Sequence, residues 1–267
     1  MKKTVLFLLF TCAWGLSILF AQAPFTRGYI EFDSGNRQEV YIQDKDWRSN
    51  PTSIYYRLTS DGNAQMASID DVQSFGIATG DRFVRAEVRI DRASDITSNL
   101  SYQRDPEWSR ETVFLRVLLE SEATLLQYID APLTRYYYQK GDAPIEPLIY
   151  RRYKTDGTTV LVNDAYKGQL LTELACMRDP DLDDLEYQKG KLLDYFRAYA
   201  ECSGQEIDYL NRGTPIRLRW SLHLGANLFN SALSNDLLPV SFAGTSTING
   251  GFSARAGMSL EVLLPFQ

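Results

Sequence analysis

The chain has 267 residues, of which 44% are hydrophobic, so it can bury a substantial core. Its 28 Lys and Arg side chains against 34 Asp and Glu side chains give a formal net charge of −6. An acidic chain without a basic cluster argues against nucleic-acid binding, so no nucleic-acid partner is predicted. After the first twenty residues, no apolar run reaches the roughly 18 residues that a membrane-spanning helix needs.

The first residues predict a secretory signal peptide. Met1-Lys2-Lys3 forms a basic head, residues 4–20 form an apolar run, and Ala21-Gln22-Ala23 supplies small residues for cleavage. We predict cleavage after Ala21, so that residues 1–21 are the signal. Loss of Lys2 and Lys3 then changes the net charge from −6 to −8. An uncleaved membrane anchor is the alternative.

Residues 22–160 are predicted to form a β-rich module. Short segments of alternating or apolar residues, separated by Gly, Asn, Asp and Ser, predict its strands. The predicted strands are Gly28–Phe32, Glu39–Gln43, Ser53–Leu58, Gln65–Ser68, Val72–Ile77, Phe83–Ile90, Thr112–Leu119, Ala123–Asp130, Leu133–Gln139 and Leu148–Lys154. In Phe83–Ile90 the even positions are apolar and three of the odd ones are charged, which indicates a sheet with one solvent-exposed face.

The periodicity changes to a helical one over residues 161–205. Tyr166, Leu170, Leu171 and Leu174 have helical spacing, and Asn163 or Asp164 is the predicted N-cap. A second helix is predicted over Tyr187–Glu201, with Leu192, Leu193, Phe196 and Tyr199 on its apolar side. Residues 206–215 are predicted to be a linker.

Two cysteines remain in the mature chain, Cys176 and Cys202. An even number of cysteines in an exported protein favours a disulfide, and two buried free thiols are the alternative. In a tight helical hairpin the two cysteines would lie far apart, since fifteen helical residues span about 22 Å. A disulfide therefore predicts a longer connection that brings the two C-terminal helix ends together.

The sequence offers little material for catalysis. It has no Walker A pattern and no glycine-rich dinucleotide loop, so no nucleotide or other cofactor is predicted. His223 is the one histidine, which argues against a His-based triad or a multi-histidine metal site. Asp179, Asp181 and Asp183 alternate as in a calcium loop, but Asp184 and Gly190 stand where glycine and glutamate are needed. We predict no catalytic, cofactor-binding or metal-binding residues, and rank a hydrolase below the non-enzymatic alternatives.

Residues 216–267 carry the most regular pattern in the chain. Over Leu218–Leu228 and Phe252–Leu264 every even position is apolar, and most odd positions are polar or small. A period of two over about a dozen residues is typical of a transmembrane β-strand. The predicted lipid-facing residues are Leu218, Trp220, Leu222, Leu224, Phe252, Met258, Leu260, Val262 and Leu264. The predicted lumen-facing residues are Arg219, Ser221, His223, Arg255 and Glu261.

Barrel topology gives these two strands directions. Outer-membrane barrels have short periplasmic turns and long outer loops. With the preceding module in the periplasm, the first strand runs outward, residues 229–251 form an outer loop, and the second strand returns. The alternative is a soluble hairpin that lays its apolar face on the preceding module.

The mature chain resembles a family of exported Gram-negative proteins with a periplasmic module and a PorT-like outer-membrane β-barrel. The segments that carry the resemblance are Gly28-Tyr29-Ile30, Lys45-Asp46-Trp47 with Asn50-Pro51, Val113–Leu118, Leu148-Ile149-Tyr150 before Tyr153, Tyr166–Leu170 with Cys176, Tyr199–Cys202, Leu224–Asn227, Gly251-Phe252 and Leu264-Pro265-Phe266. The resemblance implies a location and an architecture, and none of its motifs is a catalytic signature.

The chain departs from that family in its number of strands. Two barrel strands cannot close, and the smallest bacterial barrels have about eight. Open strand edges are not tolerated in lipid, so we expect the chain to be part of a longer protein or to join other strands.

These observations predict a mainly β fold with a helical pair (α+β). Its parts are a β-rich periplasmic module, two helices and a C-terminal antiparallel hairpin of a partial outer-membrane β-barrel. The predicted function is that of a non-enzymatic outer-membrane protein in transport, assembly or envelope organisation, with outer-membrane lipid and envelope proteins as partners. The alternative is a soluble periplasmic interaction or binding module that does not insert in the membrane.

Overall fold

The computed structural model describes residues 23–45, 47–78, 80–177, 180–211, 217–234 and 245–263. The predicted signal peptide and Leu264 lie outside the described residues. The chain divides into two compact units, Met1–Gly213 and Thr214–Gln267. We call the first the module and the second the hairpin, and each is described by itself.

The module is built mainly from antiparallel strands, as the sequence predicts. In chain order they are β1 (Phe25–Phe32), β2 (Arg37–Gln43), β3 (Ser53–Arg57), β4 (Gln65–Ser68), β5 (Val72–Ile77), β6 (Arg82–Asp91), β7 (Trp108–Glu120), β8 (Ala123–Asp130), β9 (Leu133–Lys140), β10 (Glu146–Pro147), β11 (Arg151–Lys154), β12 (Val160–Asn163) and β13 (Tyr209–Leu210). Among the described residues, eleven of these strands form one sheet, and β11 and β12 form a separate pair.

The large sheet is two meanders joined side by side. Its strand order is β10-β9-β8-β7-β6-β5-β1-β2-β3-β4, and β13 adds to β7. After β4 the chain returns to the other side of β1, where β5 begins the second meander. Strands β1 and β5 approach closely at Gly28, where an added Cβ atom would lie 2.3 Å from the Gly76 carbonyl oxygen. The antiparallel pairing of β1 with β5 therefore favours glycine at this position.

Three hydrophobic clusters hold the module together. The first is formed by side chains of β1–β7, where Phe75 and Phe83 stack and Trp47 packs edge-on against both. The second covers one face of β6–β9, where Val88 and Ile90 are buried while Glu87 and Arg89 are exposed. The third lies on the opposite face of β7–β9, beneath the helices. The central strands are thus buried on both faces.

Two helices cover the third cluster, in agreement with the predicted helical pair. They are α1 (Tyr166–Glu173) and α2 (Lys189–Ser203). In α2 the apolar residues Leu192, Leu193, Phe196 and Tyr199 are buried, as expected from their spacing. Gly204 ends α2 in the left-handed conformation at φ 70°, which glycine adopts readily. No helix among the described residues combines the length and apolar character needed to cross a bilayer.

The predicted start of α1 is wrong in one respect. Ala165 is its N-cap, and no side chain caps the helix; Asn163 instead accepts a hydrogen bond from the Ala165 N–H at 3.3 Å. Leu171, which the spacing assigns to the apolar side, is 42% exposed. The helix has only eight residues, so the pattern alone defined its buried side poorly.

Cys176 and Cys202 form a disulfide, with their Cα atoms 6.0 Å apart. Cys202 lies in the last turn of α2, and Cys176 follows α1 by three residues. The two C-terminal helix ends therefore meet, which is the longer connection that the disulfide prediction requires.

The hairpin consists of two long antiparallel strands, β14 (Arg217–Ser234) and β15 (Thr245–Leu263). The predicted loop over residues 229–251 is therefore too long, because both strands continue into it. Their extensions pair through Ser231–Ser234 and Thr245–Ile248.

Candidate functional site

The register of the hairpin places apolar residues of β14 opposite apolar residues of β15. Leu218 pairs with Val262, Trp220 with Leu260, and Leu222 with Met258. The sequence separates even from odd positions on each strand, and the register aligns the two even sets. The predicted lipid-facing residues within the described range therefore share one face of the hairpin, which we call the apolar face.

The side chains of the apolar face are exposed. Their exposed fractions range from 48% for Leu260 to 76% for Leu224. A two-stranded sheet has no second layer of its own to cover such a face. Soluble proteins rarely expose contiguous apolar surface of this kind, and it marks contact with a partner or a membrane.

The other face of the hairpin carries the predicted lumen-facing residues. Arg219 forms an ion pair with Glu261 at 3.4 Å, and His223 Nε2 lies 3.1 Å from the Ser259 hydroxyl. The first contact joins two directly paired residues and the second joins a diagonal pair, and both are exposed. The two faces of the hairpin therefore differ sharply in polarity.

The length of the apolar face can be compared with a bilayer. Phe252 and Val262 mark its two ends on β15. Ten residue steps at about 3.4 Å give a span of about 34 Å along the strand. At the tilt of about 40° found in membrane barrels, this covers a thickness of about 26 Å, close to the apolar band of about 25 Å.

A second polar site, buried in the module, was not predicted from the sequence. Asp91 and Arg151 form an ion pair at 3.3 Å with side-chain exposures of 2% and 1%. Arg151 also donates to the Asp105 carbonyl, and buried Arg135 donates to the Asp91 and Ala93 carbonyls and to the Asp95 carboxylate. These contacts fasten residues 92–107, the long connection between β6 and β7, to the sheet. This buried network of ion pairs and hydrogen bonds therefore has a structural role, and we call it the clamp.

The acidic segment between the helices is stabilised by its own contacts. The Asp181 carboxylate accepts hydrogen bonds from the N–H groups of Asp183 and Asp184, each at 3.1 Å. Asp184 forms an ion pair with Lys191 at 2.5 Å. Within the described residues no group of three His, Cys, Asp or Glu side chains is arranged to hold a metal ion. Asp179 lies outside the described residues.

Comparisons with protein-family models, curated proteins and solved structures found no match for this chain. The apolar face of the hairpin is therefore the strongest functional evidence that the molecule itself offers.

Proposed function

We propose that the hairpin inserts into the outer membrane, with the module in the periplasm, as part of a PorT-like β-barrel. The role of such a protein is non-enzymatic and lies in transport, assembly or envelope organisation. The observation that carries the proposal is the apolar face, whose length fits the apolar band of a membrane barrel. The sequence resemblance to PorT-like proteins, which also extends over segments of the module, adds support.

The free energy of the exposed side chains favours a nonaqueous environment. Eight large apolar side chains are between 48% and 76% exposed on this face. Burying one such side chain fully gains about 1.5–3 kcal/mol, so removing all eight from water gains on the order of 10 kcal/mol. Lipid supplies this environment along the whole face, while the polar face turns toward a lumen.

Insertion also requires further strands. The backbone groups on the outer edges of β14 and β15 have no partner within the hairpin. Every backbone polar group in hydrocarbon needs a hydrogen bond, so neighbouring strands must cover both edges. The smallest bacterial barrels have about eight strands, which leaves about six to be supplied beside this hairpin.

A charge placed on each face in turn tests the proposal. Leu222 lies near the middle of the apolar face opposite Met258, and Ser221 lies beside it on the polar face opposite Ser259. An arginine facing lipid at mid-bilayer costs about 2–4 kcal/mol, whereas one facing a lumen is tolerated. Leu222→Arg should therefore reduce the carbonate-resistant membrane fraction of the exported protein, and Ser221→Arg should leave it unchanged.

The fractionation also distinguishes the alternative. If the unsubstituted protein is recovered entirely in the soluble periplasm, the hairpin does not insert and the interaction-module hypothesis replaces this one. Equal behaviour of the two arginine variants in the membrane fraction would likewise contradict a lipid-facing role for the even positions.

A further inference from the structure

The outer edge of β12 is an unpaired strand edge on the surface of the module. Antiparallel strands alternate between residues that bond across the pair and residues whose N–H and C=O groups point away. Thr155 donates to the Thr159 carbonyl at 3.2 Å, which makes this a bonded pair; Tyr153 with Leu161 is then bonded as well. The intervening pairs Lys154–Val160 and Arg152–Val162 direct their backbone groups outward.

The contacts of β11 agree with this assignment. The outward N–H of Lys154 donates to the Ser101 carbonyl at 2.9 Å, so that edge of the pair is covered. On β12 the outward groups are the N–H and C=O of Val160 and Val162. Among the described residues none of these four groups has a hydrogen-bond partner.

Two apolar side chains in the middle of β12 are accessible. Leu161 is 42% exposed and Val162 is 47% exposed. At the edge strand β4 of the large sheet, by contrast, the Asp71 carboxylate accepts a hydrogen bond from the Ser68 N–H at 3.1 Å, so one backbone group of that edge is already satisfied. Proteins protect exposed edges with charges, bulges or covers, and an apolar edge without them is a site for strand pairing.

We infer that β12 pairs antiparallel with β12 of a second copy of this chain. A twofold axis through Leu161 sets Val160 of one copy opposite Val162 of the other, on both sides of the axis. These two pairs exchange four backbone hydrogen bonds and satisfy all four outward groups. The two Leu161 side chains then meet in a close non-bonded pair, so the segment is complementary to itself, as a twofold interface requires.

The charges near this edge permit the pairing. Arg152 and Lys154 lie on β11 and share a face with Val160 and Val162. In the paired form the order of strands is β11-β12-β12-β11, so the cations of the two copies are three strand spacings apart, about 14 Å. This distance exceeds the Debye length of about 8 Å at physiological salt, so dissolved ions screen the repulsion between the cations of the two copies. The contact involves few residues, so pairing should depend strongly on protein concentration.

Cysteine cross-linking tests the inference on the full mature chain. Residues in a close non-bonded antiparallel pair have Cα atoms about 4.5 Å apart, within the range that a disulfide spans. Cys176 and Cys202 are bonded to each other, and Cys12 lies in the predicted signal peptide, so in the processed chain an introduced cysteine supplies the reactive thiol. Leu161→Cys should form a covalent dimer under mild oxidation, faster at higher protein concentration. Leu171→Cys on α1 is the matched control, because Leu171 is also 42% exposed.

A second substitution keeps the test independent of folding. Val162→Pro removes an outward N–H that β11 does not use, and edge strands accept proline at such positions. Added to Leu161→Cys, it should reduce the dimer at least tenfold while the Cys176–Cys202 disulfide and the circular dichroism spectrum are unchanged. Cross-linking of Leu161→Cys no faster than Leu171→Cys, or undiminished by the proline, would overturn the inference. Both results are independent of whether the hairpin inserts in a membrane.

Discussion

At the scale of single residues, the buried pair of Asp91 and Arg151 controls how the 92–107 connection is held. Both side chains are at most 2% exposed, and Asp91 Oδ2 has no hydrogen-bond partner among the described residues. Removing one partner of a buried pair leaves the other charge uncompensated, at a cost of about 3 kcal/mol or more. Asp91→Asn should lower the free energy of unfolding in urea by that amount. Glu87→Gln, in the exposed pair with Arg110, should change it little; equal effects of the two would contradict the clamp.

The buried tyrosine hydroxyls beneath the helices should make the stability of the module fall at alkaline pH. Burial raises the pKa of Tyr136 to about 12, from its ordinary value of 10.0. The folded state therefore holds a proton that the unfolded state loses first, so the stabilisation is complete below pH 10 and is lost as the pH rises toward 12. Tyr136→Phe should flatten part of this decline in urea unfolding, by up to about 2 kcal/mol. Tyr102→Phe, at a side chain 66% exposed, should leave the decline unchanged.

The burial of single residues could be predicted from the sequence only in part. Apolar positions such as Val88 and Leu192 are buried as their spacing predicts, whereas Phe83 is buried although it lies at an odd position of β6, on the side predicted to be exposed. Arg135 and Arg151 are buried too, although charged residues are mostly exposed. Their burial depends on carbonyl groups 40 or more residues away, and no local pattern records such partners.

At the scale of elements, alternation located the longer strands and the helical spacing located both helices. The strands β10, β12 and β13 were not predicted, because segments of two to four residues are too short to show a period. Tyr209 and Leu210 lie in the predicted linker and owe their strand form to pairing with β7. In the hairpin both strands are longer than predicted, since backbone pairing continues through Ser231–Ser234 after the apolar alternation stops. Pairing partners, rather than side-chain pattern, decide such segments.

At the scale of the whole molecule, the mainly β architecture followed from composition and pattern, whereas the order of the strands did not. The placement of β1 between β5 and β2 depends on a return of the chain after β4. Neither the return nor the register that aligns the two apolar sets of the hairpin is encoded in any one segment. Both arise from contacts between segments, which hydrophobic periodicity does not specify.

The proposal for the whole molecule makes a prediction that a fluorescent scan can check. Single cysteines labelled with an environment-sensitive dye at Leu222, Ser221, Met258 and Ser259 sample both faces at two cross-strand pairs. In membranes containing the inserted protein, the emission at Leu222 and Met258 should shift to the blue and be quenched by brominated lipid, because the proposed insertion places these positions in hydrocarbon. Labels at Ser221 and Ser259 should remain sensitive to an aqueous quencher. In a soluble hairpin covered by protein, labels at the even positions would also have blue-shifted emission, but brominated lipid would not quench them. The decisive result is therefore quenching by lipid at the even positions of both strands and not at the odd ones.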